Sequence, residues 1–257
     1  MSDIPRDVQE FLDGYPKGSD DPELSKNLKF YSNNLPCIPD GLKIEQILGR
    51  DSEVKGWQGD YKGLERKHGF IQWLFPIREH GMNYESQPLQ PHELAKLKAD
   101  PRAQERLIAS YKLMLDFYGM RLVSEETGAI ERAPRYETQY QNLVESPHNY
   151  LRISRILKCL SEFGLERLNA GFLLHVLSEQ SEAKKLDNWD LRRSMDRWWC
   201  NCIRNSEERE WVGGIVRRVR KERGYVFTRV MYAAALEQRL KTGSFRRGDE
   251  GVDVRPV

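Results

Sequence analysis

The sequence predicts an all-α protein, a single globular multi-helix domain with flexible N- and C-terminal tails. Three observations carry that expectation. Apolar residues recur at steps of three and four along most of the chain, most clearly where Leu107, Ile108, Tyr111, Met114, Leu115, Tyr118 and Leu122 share one face. Prolines and glycines stand where helices should start and stop, at Pro91, Pro101, Pro147 and Gly164. No series of alternating strands is present, and only the turn-rich stretch from Thr127-Gly128 to Pro134 suits a short hairpin.

A chain of 257 residues suits one sizeable domain plus tails. Its 41 Lys and Arg against 39 Asp and Glu leave a net charge of +2, which excludes a global attraction to nucleic acid or anionic lipid. The 4 cysteines, Cys37, Cys159, Cys200 and Cys202, match no disulfide framework. Cys200-x-Cys202 lacks the second ligand pair of a zinc site, so reduced thiols and no metal or cofactor are expected. The start carries no secretory signal, and no apolar run approaches the roughly 20 residues that cross a bilayer. A soluble intracellular protein without a transmembrane segment is the expectation.

Residues 1–21 are polar and read as a loose or surface-hugging tail. Asp21-Pro22 reads as a cap and first turn for a short helix through Leu24, Leu28 and Tyr31, and the domain is expected to run from 22 to 240. Pro36, Pro39 and Asp40-Gly41 break the chain before a short helix from Leu42 to Leu48. Trp57 to Phe75 reads as one helix around which the rest is organised, with Trp57, Tyr61, Leu64, His68, Ile71 and Phe75 on one stripe and Pro76 as its stop. Gly69 inside it should cost about 1 kcal/mol against Ala, so something must pack closely there. Pro91 opens a helix, and Asp100-Pro101 caps the next, which carries the strongest periodic signal. Ser146-Pro147 starts a helix with Tyr150, Ile153, Ile156, Leu157, Leu160 and Phe163 inward. Helices are also expected over Leu168–Leu177, Trp189–Cys202, Glu207–Arg223 and Tyr225–Leu240, before a disordered tail at 241–257.

Two groups of residues stand out as candidate binding sites. Glu65, His68 and Gln72 form a polar file on an apolar stripe beside Trp73, and such groups must pair with each other or with a ligand. His148, Arg152 and Arg155, with Asn149, recur at i, i+4 and i+7 on the face away from Ile153, Leu157 and Leu160. Such a row suits a carboxylate or phosphate and should be dispensable to the core. Arg78-Glu79 after Pro76 should anchor a loop through ion pairs. Arg217, Arg218, Arg220, Lys221 and Arg223 give one helix a basic side, readable as a solvated face, a nuclear import signal or a nucleic-acid contact. The chain lacks a P-loop, nucleophile elbow, kinase signature and metalloprotease helix, so no enzyme is expected.

Gly59-Asp60-Tyr61, Leu64-Glu65, His68, the run Phe70-Ile71-Gln72-Trp73-Leu74-Phe75-Pro76, Arg78-Glu79 and Gly81-Met82-Asn83 resemble the conserved region of the opioid growth factor receptor family. Pro36-Cys37-Ile38-Pro39-Asp40-Gly41, Ser110 to Leu115, Phe117-Tyr118-Gly119 and His148 to Ile153 extend the resemblance, which runs from about Leu24 to about Leu177 and more faintly to Tyr232. The resemblance implies a non-catalytic intracellular receptor for a short opioid peptide of the enkephalin type, with an N-terminal Tyr and a C-terminal Met. It further implies association with the nucleus or its envelope and a link to growth regulation. Aromatic pockets and the Arg row would hold the peptide's rings and carboxylate. The sequence carries no long repeat-bearing extension, so activity residing in one is not expected here. The alternative is a nucleic-acid- or protein-binding scaffold that uses the basic helix at 215–223.

Overall fold

A computed structural model describes residues 4–246 of the protein, so 1–3 and 247–257 of the two expected tails lie outside the described residues. The centre is α10 (Glu166–Ser181), in which every side chain from Leu168 to Ser181 is buried. A helix apolar on most sides needs cover on all of them. It is covered by α9 (His148–Glu162), α12 (Ser206–Lys221), α13 (Arg229–Thr242) and β2 (Ile130–Arg132). Strand β2 pairs antiparallel with β1 (Met120–Leu122), with Met120 opposite Arg132; a hairpin is thus present, but it begins before the expected stretch, and Leu122, expected on a helix face, lies in its first strand. Its turn presses on α10 backbone to backbone. A Cβ at Gly171 would lie 1.9 Å from the Gly128 carbonyl oxygen, so neither glycine can carry a side chain.

The helix pair α6 (Pro91–Ala99) and α7 (Pro101–Phe117) starts as expected. Each has Pro in its first turn, and the Asp100 carboxylate accepts from the Arg102 amide at 2.9 Å. The short α2 (Lys26–Tyr31) begins later than Asp21-Pro22 suggests, because the buried Glu93 of α6 holds its first turn instead. Glu93 accepts from the Asn27 amide at 3.0 Å and the Asn27 side chain at 2.7 Å. Helix α3 (Ile44–Ile47) falls where expected. Helix α8 (Tyr136–Glu145), with Tyr140 and Leu143 inward, is not among the helices expected from the sequence. Beyond α10, α11 (Trp189–Arg197) and a 3-10 turn (Trp199–Asn201) replace the single helix expected to Cys202.

Two further differences shape the site. The segment before Asp21 is anchored over its described part, for α1 (Arg6–Leu12) buries Val8 and Phe11 completely. The organising helix is two helices, α4 (Tyr61–Arg66) and α5 (Ile71–Leu74), separated by an extended Lys67 at φ −78° and ψ 134°. The expected crowding at Gly69 is nevertheless present, since a Cβ there would stand 2.6 Å from Pro39 Cδ.

A polar cluster lies inside the core. His175 on α10 is fully buried, with Tyr140 Oη 3.1 Å from Nε2 and Arg229 Nη1 2.9 Å from Nδ1. A guanidinium only donates, so Nδ1 accepts and the proton sits on Nε2. Burial, reinforced by the charges of Arg229 and Arg132, pushes its pKa down to about 3 from 6.5. Stability from a depressed histidine is complete above the unfolded pKa and is lost as pH falls towards the folded one. The stability difference between wild type and His175→Gln should therefore shrink below pH 6.5 by about 1.4 kcal/mol per unit, read from urea melts at pH 7, 6 and 5. A difference independent of pH would show that the fold leaves the His175 pKa unshifted.

Candidate functional site

The break between α4 and α5 leaves backbone carbonyls without helical partners. Arg152 of α9 takes them. Its Nη1 donates to Leu64 O at 2.9 Å, and its Nη2 to Lys67 O at 2.6 Å and Glu65 O at 3.3 Å. Nη2 also donates to His68 Nδ1 at 2.9 Å, and Nη1 to Asn149 Oδ1 at 3.1 Å. The guanidinium lies within 5.6 Å of the Phe70 ring centre and 6.0 Å of that of Phe117. On the other side of the break the Gln72 amide, oriented as its neighbours require, donates to Gly69 O at 3.0 Å and His68 O at 3.2 Å and accepts from Met82 N at 3.2 Å. Asn83 adds a bond to Gly69 O at 3.0 Å.

These bonds correct the expected row. Arg152 is only 5% exposed and faces the domain, not solvent, because the carbonyls it serves lie beneath α9. Arg155 turns the same way, donating from Nε to Phe75 O at 2.9 Å, and burial pushes its pKa down to about 10. Gln72 and Trp73 are buried in the protein and not open to a ligand, Gln72 as a backbone clip and Trp73 against Phe30, with its indole donating to Ile38 O at 3.2 Å. Arg78 anchors a segment through main-chain carbonyls, donating to Gly14 O at 3.0 Å and Gly18 O at 3.3 Å, and Glu79 makes an ion pair with Lys158 at 2.7 Å.

What stays open to solvent is a rim formed by Glu65, His68 and His148. His148 Nε2 stands 2.5 Å from Glu65 Oε1, with the two side chains 42% and 25% exposed. The other carboxylate oxygen accepts from Asn142 at 2.8 Å and Asn149 at 3.2 Å. Burial pushes the Glu65 carboxyl up, but the two asparagine donors, His148 and Arg152 outweigh it, and the net shift is downward. Burial, Arg152 and His148 together lower His68, which accepts through Nδ1. The two imidazoles meet edge to face at 5.5 Å. The result is a fixed, ionised carboxylate beside two aromatic rings, an arrangement suited to an ammonium group next to a ring. Asn142 was missed because its helix, α8, was missed; the spacing of Tyr136, Tyr140 and Leu143 was the available signal.

The basic residues of α12 are largely engaged. Arg220 pairs with Asp196 at 3.0 Å and Gln180 at 2.6 Å, and Arg218 pairs with Glu222 at 2.9 Å and lies 4.0 Å from the Tyr225 ring centre. Arg217, Lys221 and Arg223 are exposed. A groove of about 780 Å³ runs along this helix, but Asp196, Glu207 and Glu210 line it beside Arg217, Arg220 and Lys221, so its charge is mixed. All four cysteines are free and buried, and no cluster of three or more metal-ligating side chains occurs among the described residues. No described helix is long and apolar enough to cross a membrane.

Since Arg152 closes several buried carbonyls, Arg152→Gln should destabilise the protein by about 2–4 kcal/mol in urea unfolding, and Lys should rescue little. A change under about 0.5 kcal/mol would show that water can replace the guanidinium.

Comparison with known proteins gives this geometry a family. A family model described as the opioid growth factor receptor conserved region matches residues 20–230. Opioid growth factor receptor-like protein 1 of Xenopus tropicalis is 39% identical over 207 residues, which cover 79% of this chain and 39% of that protein. The mouse protein of the same name is 38% identical over 79% of this chain and 42% of its own length. The human opioid growth factor receptor is 43% identical over 160 residues, 62% of this chain and 23% of that receptor. The matched part thus spans less than half the length of each of these relatives. No solved structure gives a significant match. The broken helix, its arginine joint and the Glu65 rim all lie inside the matched span, and the chain belongs to the opioid growth factor receptor family.

Proposed function

We propose that this chain is a non-catalytic ligand-binding domain that takes a short opioid-type peptide by its N-terminal ammonium at Glu65. The carrying observation is that, of the residues expected to bind, Glu65, His68 and His148 combine access to solvent with a fixed geometry. The amine would exchange with His148 at Oε1 while Asn142 and Asn149 hold Oε2, and the first aromatic side chain would lie against the His68 and His148 rings. The names of the relatives support an opioid ligand and a link to growth regulation. No catalytic step is assigned, because His68 is held through Nδ1 by Arg152 and burial raises all four thiols.

Calorimetric titration with an enkephalin pentapeptide ending in Met tests this reading. Glu65→Gln in the protein, or acetylation of the peptide's amine, should each weaken binding about tenfold to a hundredfold, the loss of one charge-assisted hydrogen bond. Equal affinities in all three titrations would remove Glu65 from the ligand site. Binding of the acetylated peptide alone would do the same.

Four free buried thiols suit a reducing compartment. The exposed Arg217, Lys221 and Arg223 supply a basic surface for nuclear import. Replacing these three with Gln spares the Arg220 pairs and should shift a fluorescently tagged chain from nucleus to cytoplasm without changing its melting temperature. An unchanged distribution would dismiss the import role.

A further inference from the structure

We propose that residues 5–18 are a displaceable strap, seated in a second peptide groove that binds a partner segment with an acidic residue, a phenylalanine and a tyrosine at successive steps of four. The proposal does not depend on the Glu65 reading. His148 and Lys158 are ten residues apart on α9, about 15 Å along its axis.

The strap is held as a bound peptide is held, by side chains of the domain on its backbone. Lys158 Nζ donates to Asp7 O at 3.3 Å, Arg204 Nη2 to Phe11 O at 3.0 Å, and Arg78 to Gly14 O and Gly18 O at 3.0 and 3.3 Å. Three side chains add specificity. Asp7 Oδ2 lies 2.9 Å from Lys158 Nζ, and Tyr15 Oη donates to Glu79 at 2.8 Å. The buried Phe11 ring has the Arg204 guanidinium 4.4 Å from its centre and Lys158 Nζ at 5.9 Å. Between Phe11 and Tyr15 the chain leaves the helix through Gly14 and Tyr15, at φ 73° and 55°, so a partner needs a residue tolerant of the left-handed region there.

The groove beneath is a charged floor prepared for such contacts. Lys158 is 2% exposed and bonds Glu79 at 2.7 Å, while Arg204 grips Glu162 at 2.6 and 3.2 Å. Arg204 Nε is also buried, with no acceptor among the described residues, so the strap leaves one donor of the groove unused. The floor residues Arg78, Glu79, Lys158, Glu162 and Arg204 all lie within the family span of 20–230, whereas the strap lies outside it. A segment external to the shared domain thus covers a groove that belongs to it. Because the strap is tethered, its local concentration is high, and an external segment competes only when it binds tightly or when the strap is weakened.

The test uses the full chain and a fluorescein-labelled peptide of residues 5–18. Wild type should bind it weakly, Phe11→Ala/Tyr15→Ala should bind it at least tenfold more tightly, and a peptide with the same two changes should bind neither protein. A variant with unchanged circular dichroism and melting that binds no better than wild type would overturn the groove. Hydrogen exchange on wild type covers the case of a variant that fails to fold. Amides from Phe11 to Tyr15 should open at least tenfold more often than those in the middle of α10. Equal protection would make the segment part of the core and overturn its displacement.

Discussion

Arg152 is the joint on which the site side of this domain depends. A chain that leaves a helix at Arg66 and re-enters one at Ile71 strands carbonyls in a buried place, where each unpaired group costs about 1–3 kcal/mol. One guanidinium serves Leu64, Glu65 and Lys67 at once, because its donors fan out in a plane and it carries no acceptor atom that would need a partner. With the break closed, α5 can turn Ile71, Trp73 and Leu74 into the core. The same contacts set the positions of Glu65 and His68 against α9. The open rim is therefore a by-product of core construction, placed by the same bonds that close the joint.

Buried charge recurs elsewhere in the same role. Glu93 holds the first turn of α2, Lys158 ties Asp7 to Glu79, and Arg132 forks onto Glu179 beneath the hairpin at 2.8 to 3.2 Å. Desolvation makes such pairs weak contributors to net stability, yet breaking one leaves a charge uncompensated in the interior. We read them as devices that define how short helices dock. Helices of four to seven residues, such as α1 to α5, carry too little apolar surface to specify a single packing by themselves. A domain built from such pieces needs polar connections that fit in one arrangement.

For the same reason few of the expected binding residues face solvent. A sequence pattern rich in Arg, His and Gln looks like a ligand site, but here most of those groups are engaged by the backbone of the protein itself. Arg78, Arg152, Arg155 and Gln72 all bond main-chain carbonyls. Of the expected residues, Glu65, His68 and His148 keep access to solvent.

Much of the architecture was legible in the sequence. The helical class, the Pro-capped starts of α6 and α7, the apolar face of α7 and a hairpin near Gly128 all follow from local chemistry and period. The crowding at Gly69 was legible as well, as a demand for a close neighbour. The single helix from Trp57 to Phe75 and the exposed Arg row are not what the chain adopts, the start takes the surface-hugging of its two expected forms over its described part, and α8 was not expected. The break in the organising helix and the burial of the Arg row share one physical cause. Periodicity reports which residues would share a face if the backbone stayed helical, and it is silent about a guanidinium 85 residues away that lets the chain leave the helix. Side chains that bond distant carbonyls decide where this chain bends, and only the tertiary structure brings them together.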